Sequence, residues 1–251
     1  MEQYLISSWR ELFNSSFAFV GVQLAGYTAV MANGTGQFPG LSVTSEEVFK
    51  MRLQQEAGCS GVDGGCVVVP TYDFSCQTDN PAVVHGNNCP YGSVHQPDKP
   101  AIGKRIALQL YKQLLNPATP AVVEGPRATH VTAPPMWTAS GQTVTVSFSG
   151  GSPPFALAPT RNCTSCCDGS KNRGHTVDFD ASVDGVVWFN GTDATLGAGA
   201  TITFRVVGLA SPPTVVRHTA ASVWPQCAVY NAEKLPLLPF EMHVEHEPSS
   251  P

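Results

Sequence analysis

Val69-Pro70-Thr71-Tyr72-Asp73-Phe74-Ser75-Cys76 is followed, after a loop, by Tyr91-Gly92-Ser93-Val94-His95-Gln96-Pro97-Asp98-Lys99 and then Gly103-Lys104-Arg105-Ile106-Ala107. The apolar run Cys66-Val67-Val68-Val69 through Tyr72 reads as a strand buried on both faces, the kind found inside parallel sheets. Upstream, Phe17-Ala18-Phe19-Val20-Gly21-Val22-Gln23-Leu24 has the same character. Between the two, Ser45 precedes Glu46, Glu47, Val48, Phe49, Met51 and Leu53, a polar cap and acidic first turn opening an amphipathic helix that Gly58 can end. Strand, helix, strand without a hairpin signal predicts parallel neighbours joined by a crossover helix.

Outward from this unit, Ser7 to Phe13 has a short helical pattern, and Gly26 to Gly40 is a Gly/Thr-rich loop. A long loop runs to His95, after which Asp98 caps a second amphipathic helix with Ile102, Ile106, Leu108, Leu110 and Leu114. Past Asn116-Pro117 the period changes. Thr143-Val144-Thr145-Val146-Ser147-Phe148 and Thr201-Ile202-Thr203-Phe204-Arg205-Val206 alternate strictly, which predicts antiparallel strands with one buried face. The expected fold class is therefore α/β: residues 1–117 form the closing half of a parallel-sheet domain, 118–244 a β-sandwich of jelly-roll type, and 245–251 a disordered tail.

Composition narrows the function. Of 251 residues 42% are hydrophobic and 13% charged, with 23 Gly and 21 Pro, which favours strands and ordered loops over long surface helices. The net charge of −5 and the scattering of the 14 basic residues exclude the cationic footprint of a nucleic-acid binder. No apolar run approaches the ~20 residues a spanning helix needs, so no membrane partner is expected. Eight cysteines and sequons at Asn14, Asn33, Asn162 and Asn190 point to an oxidising, secreted or lysosomal location and a glycoprotein. Met1-Glu2-Gln3-Tyr4 lacks the features of a signal peptide, so the expectation for a secreted protein is that a segment precedes this one.

Asp73 lies just past the C-terminal end of a parallel strand, and His95 lies in the loop before the next helix. Open α/β sheets place their active sites there. An acid and an imidazole in that arrangement suit the acid and base of a catalytic triad. Asp79 is a rival to Asp73 as the acid.

The same block resembles that of sialate O-acetylesterases, members of the SGNH-type hydrolases, in which an Asp-Leu-Cys segment precedes Gly-Ser-Ile-His-Pro-x-Asp-Lys. Trp9-Arg10-Glu11-Leu12-Phe13, Val22-Gln23-Leu24 and Arg52-x-x-Gln55 are similar to that family in order and spacing. So are Cys166-Cys167 and Trp224-Pro225-Gln226-Cys227-Ala228-Val229-Tyr230 through Phe240. The resemblance implies serine-dependent removal of O-acetyl groups from sialic acids or other acetylated glycans, without a cofactor, with His95 as general base and Asp73 as acid.

Three departures bear on this. The family's Gly-Gln-Ser-Asn-type serine block does not occur here, so the nucleophile is expected on a missing N-terminal segment. His95 is followed by Gln96 before Pro97, and Gly92 stands where an Asp-x-x-His hydrolase has its acid. The alternative reading is a catalytically inactive glycan-binding or structural remnant.

Other features read as structural. Lys99 and Arg105 are expected on a solvated helix face, with contact to an anionic sialic acid as the alternative, and Arg52 and Gln55 as helix surface or packing against the active-site side. Cys163-Thr164-Ser165-Cys166-Cys167 lacks the further ligands of a zinc site. Cys76 with Cys89 and Cys167 with Cys227 are guesses among many possible disulfide pairings. His243 and His246 could share a metal, but a tail with two histidines is the commoner explanation. Gly34-x-Gly36 and Gly197-x-Gly199 do not continue into a phosphate loop.

Overall fold

In Gln142–Ser149 the side chains of Val144, Val146 and Phe148 are buried while Thr143 and Ser149 face solvent, and Thr201–Val206 buries Ile202, Phe204 and Val206. These segments, β4 and β8, pair antiparallel with Val144 opposite Phe204 and Val146 opposite Ile202, as the alternation predicts. In the computed structural model, which describes residues 2–25, 45–62, 65–74, 99–115, 118, 123–138, 140–160, 178–220 and 227–246, they form the middle of a large sheet.

The other strands of that sheet are β3 (Arg127–Ala133), β6 (Phe179–Ser182), β7 (Trp188–Gly197), β9 (Val215–His218), β11 (Phe240–His243) and β12 (Glu245–His246). Their order is β11-β9-β6-β7-β8-β4-β3-β12. Only β12 runs parallel to its neighbour, β3, so the sheet is mixed. Its ends curl toward each other until β11 contacts β3, nearly closing a barrel, and the Leu238 amide donates to the Pro126 carbonyl at 3.0 Å. Val131, Val144, Val146, Phe179, Ile202, Phe204 and Leu237 fill the interior. Phe179 stacks on Phe204 with ring centroids 4.8 Å apart, and burial of such rings dominates a core of this size.

This corrects the expected sandwich. β8 sits between β7 and β4, and β9 between β6 and β11, so one continuous sheet curls where two facing sheets were anticipated. Strict alternation marks a strand with one buried face, and a barrel wall satisfies it as well as a sandwich layer does. A separate antiparallel pair, β5 (Ala156–Pro159) with β10 (Cys227–Tyr230), lies beside the barrel and faces the N-terminal elements. Glu245 and His246, expected in the tail, are exposed and form β12; residues 247–251 lie outside those described.

In the N-terminal part, β1 (Phe19–Val22) and β2 (Cys66–Val69) are parallel, with Phe19 opposite Cys66 and Val22 opposite Val69. The predicted crossover helix is α2 (Ser45–Ser60), which passes through Gly58 instead of ending there. A Cys59–Cys66 disulfide ties its end to the start of β2, a pairing the sequence did not suggest. Cys227 is also disulfide-bonded, whereas Cys76, Cys89 and Cys163 to Cys167 lie outside the described residues. α1 spans Glu2–Phe13, beginning earlier than expected. α3 (Lys99–Leu110) continues into a π-helical turn, Tyr111–Leu115, where Leu114 is 60% exposed and not part of a buried stripe. The parallel sheet among the described residues is thus two strands wide. No described helix is long and apolar enough to cross a membrane.

Candidate functional site

The chain leaves β2 through a fully inward path: Pro70, Thr71, Tyr72 and Asp73 are all buried. Thr71 donates its hydroxyl to the Gln23 carbonyl at 2.7 Å, lashing the ends of β1 and β2 together. Tyr72 donates to the Leu237 carbonyl and sets its ring edge-on to His218. Both contacts reach into the barrel, so the strand end is wedged between the α/β elements and the β module.

Asp73 follows, 3% exposed. Arg105 of α3 meets it in a two-pronged ion pair, Nη1 to Oδ1 at 2.8 Å and Nη2 to Oδ2 at 2.6 Å. Tyr230 of β10 donates its hydroxyl to Oδ2 at 2.9 Å. Arg105 also donates to the carbonyls of Pro70 at 2.7 Å and Lys234 at 3.3 Å, and lies 4.3 Å from the centre of the Phe74 ring. Burial acts to lower the Arg105 pKa, but the hydrogen bonds to Asp73 and its charge raise it above the ordinary value. Burial, then the Asp73 charge, push Tyr230 far above the tyrosine range, so its hydroxyl stays a donor. A doubly bonded pair with a third donor is the geometry in which a buried ion pair offsets its desolvation.

The expectation that Arg105 faces solvent is therefore corrected: Ile102, Arg105 and Gln109, at helical spacing, are the buried face of α3. A cavity of about 330 Å³ opens beside the pair, between α3 and β5–β10, with Phe74, Leu108, Pro159 and Leu235 among its apolar walls and Lys104 and Glu233 also lining it.

Two further arginines bind the same two regions together. Arg52 of α2, fully buried, donates to Leu24 O at 2.8 Å and to Thr219 O at 3.2 Å; burial lowers its pKa to about 10, so it remains charged at neutral pH. Gln55 bonds the Leu24 amide and the Val22 carbonyl, so both residues of the Arg-x-x-Gln pair pack against the end of β1. Arg217 of β9 pairs with Asp180 at 3.1 Å and with Glu46 of α2 at 2.5 Å, and lies 3.7 Å above Trp188. Thr219 is held with φ 71°, a left-handed conformation that costs a β-branched residue about 1–3 kcal/mol and persists only where its surroundings impose it.

Of the residues singled out from sequence, Asp73 lies in this cluster, while His95, Asp79 and Asp98 fall outside the described residues. Arg105 was read as solvated, and Tyr230, Arg217 and His218 were missed. The i, i+3, i+7 spacing of Ile102, Arg105 and Gln109 was the available signal for the first; Tyr230 stood in a quoted stretch without a role. Among the described residues no group of three or more His, Cys, Asp or Glu is placed to hold a metal.

No family model and no curated protein matches the chain. A solved structure does. The crystal structure of a novel carbohydrate acetylesterase from Xanthomonas citri matches 96% of this chain with a TM-score of 0.62 at 16% sequence identity. The chain covers 44% of that protein's length. The shared property at this identity is the fold.

Proposed function

We propose that the chain is part of an acetyl-ester hydrolase acting on acetylated carbohydrate, of the sialate O-acetylesterase type, in a secreted or lysosomal setting. The observation that carries the reading is the likeness of fold to a carbohydrate acetylesterase over 96% of the chain. The acid expected of a triad lies at the end of the second strand of a parallel pair, where such sheets hold ligands. Disulfide-bonded Cys59, Cys66 and Cys227 support the oxidising compartment.

In this reading His95 takes the proton of a serine hydroxyl and returns it to the leaving alcohol, and Asp73 orients the imidazole. An ionised carboxylate has about four acceptor sites. Arg105 and Tyr230 fill three of those on Asp73, leaving one on Oδ1 for the imidazole N–H. The serine comes from a segment outside these 251 residues.

The engagement of Asp73 by partners on two other elements favours a second reading, in which the chain is a structural or glycan-binding remnant and Asp73 only an anchor. Acetate release from acetylated sialic acid, acetylated xylan and a simple aryl acetate separates the two. It is measured on the chain alone and on the protein extended at its N-terminus through the serine block. The hydrolase reading expects activity only in the extended protein, lost in its His95→Ala variant; an inactive extended protein sinks it.

A further inference from the structure

The cavity beside Asp73 lies where separate pieces of chain converge. Phe74 enters it from the end of β2, Leu108 and Lys104 from α3, Pro159 from β5, and Lys234 and Leu235 from the turn after β10. Its volume, about 330 Å³, falls within the range of small-molecule sites, about 300–1,000 Å³.

Polarity is divided along its depth. The side chains of Phe74, Leu108, Pro159 and Leu235 make the walls apolar. At the buried end the Tyr230 hydroxyl donates to Asp73, and the four Nη protons of Arg105 go to Asp73 and to the carbonyls of Pro70 and Lys234. The polar groups there are committed within the protein. At the mouth Lys104 and Lys234 are exposed, and among the described residues neither ammonium has a carboxylate partner. Glu233, also at the mouth, accepts from the Ser152 hydroxyl, which stands outside the lining.

The mouth is held in one shape. Lys234 has φ 63°, a left-handed conformation uncommon for a residue with a side chain and found at ligand clamps. Asn231 imposes it. Its backbone carbonyl accepts from the Lys234 amide at 3.1 Å, its side-chain oxygen accepts from the Leu235 amide at 2.9 Å, and its side-chain nitrogen donates to Glu124 O at 3.2 Å. The Lys234 carbonyl, accepting from Arg105, ties the same turn to α3.

We propose that this cavity binds a small amphipathic carboxylate, a single aromatic ring with an anionic head. The ring lies among Phe74, Leu108, Pro159 and Leu235, where ring-on-ring contact with Phe74 adds to burial, and the carboxylate meets Lys104 and Lys234. A sugar is the wrong ligand for these walls, because its hydroxyls would leave water without gaining partners. The site uses neither His95 nor a serine, so it is independent of the acetylesterase reading. Spanning α3 and the turn after β10, a bound ligand braces the seam and stabilises the fold by mass action.

The test is titration calorimetry on the full chain with phenylpropanoate as the probe. A dissociation constant on the order of 0.1–1 mM is expected. The neutral phenylpropanamide is expected to bind at least ~3-fold more weakly and the cationic phenylpropylamine at least ~10-fold more weakly. Lys104→Gln with Lys234→Gly keeps the fold, since both side chains are exposed and glycine suits the left-handed position; it is expected to erase the difference between acid and amide. Backbone amide NMR signals are expected to shift at Phe74, Leu108 and Leu235 on addition of the acid. Equal affinity of the unaltered chain for acid, amide and amine overturns the anionic head. Shifts confined to other residues, or neither heat nor shift at about 10 mM probe, overturn the site. A methyl glycoside of an acetylated hexose that binds here more tightly than phenylpropanoate also overturns it, by naming a sugar as the ligand.

Discussion

The barrel interior and the seam beneath the helices are both buried, yet they are held by opposite means. Inside the barrel Val144, Val146, Ile202, Phe204 and Val206 meet across neighbouring strands with no side-chain polar atom among them. Along the seam the fully or nearly buried side chains include Arg52, Asp73, Arg105, Asp180 and Arg217. The barrel gains from apolar surface removed from water, in proportion to that area and indifferent to direction. The seam gains little net energy from its ions, because pairing in the interior barely offsets desolvation. Its bonds instead have fixed partners and angles: Arg105 and Tyr230 converge on one carboxylate from α3 and β10, and Arg217 on Glu46 and Asp180 from α2 and β6. A greasy seam could slip; one held by the two-pronged Arg105–Asp73 pair and the fixed contacts of Arg217 and Arg52 sets a single orientation of the β module against the strand ends.

Breaking one member of the seam is expected to have the largest effect. Arg105→Ala leaves the Asp73 carboxylate buried without its charge partner and is expected to cost about 3–5 kcal/mol in denaturant unfolding. Arg105→Met combined with Asp73→Leu removes both charges and is expected to recover most of that loss. A double variant as unstable as the single one would show that the seam depends on the pair for net stability, erasing the contrast with the barrel.

Next in size is a pH effect. His218 is stacked on Phe179 at 4.7 Å and gives its Nδ1 proton to the Asp178 carbonyl; burial lowers its pKa to about 3. The unfolded chain, with a value near 6.5, binds the extra proton first as pH falls. Stability from this group is therefore complete above about pH 6.5 and is lost downward toward pH 3, on the order of 3 kcal/mol by pH 4. His218→Phe is expected to flatten that part of the stability–pH curve, and parallel curves for the two proteins would refute the assignment.

In the barrel, Ile202→Val removes one methylene from a fully packed wall and is expected to cost about 0.5–1.5 kcal/mol in the same unfolding assay. The smallest effect is expected at the outer end of the seam. Arg127, nearly half exposed, pairs with Glu56 of α2 at 2.6 Å and with Glu124 at 3.2 Å. Arg127→Ala is expected to cost less than about 1 kcal/mol and to lose even that in high salt. A loss as large as at Arg105 would mean that burial is not what separates the two arginines.

How much of this was legible differs between the two regions. The period-two pattern of 143–148 and 201–206 located two central strands and their inward faces, because alternation is imposed on the sequence by the pleat itself. The order strand, helix, strand located the parallel pair, since no shorter connection joins parallel neighbours. Barrel closure was not legible: an inward-facing valine reads alike in a sandwich and in a curled sheet. Asp73 was singled out by its place after β2, but not the two partners that occupy it.

The sequence by itself determined the parallel pair with its crossover helix and two central antiparallel strands with the way their apolar sides turn. Only the tertiary structure decided that Arg52, Arg105 and Arg217 are interior residues. Apolar periodicity is a local property, written within a few residues of one element. A buried charge is permitted only by its partner, and the partners here stand far along the chain, Tyr230 lying 157 positions from Asp73 and Arg217 lying 171 from Glu46.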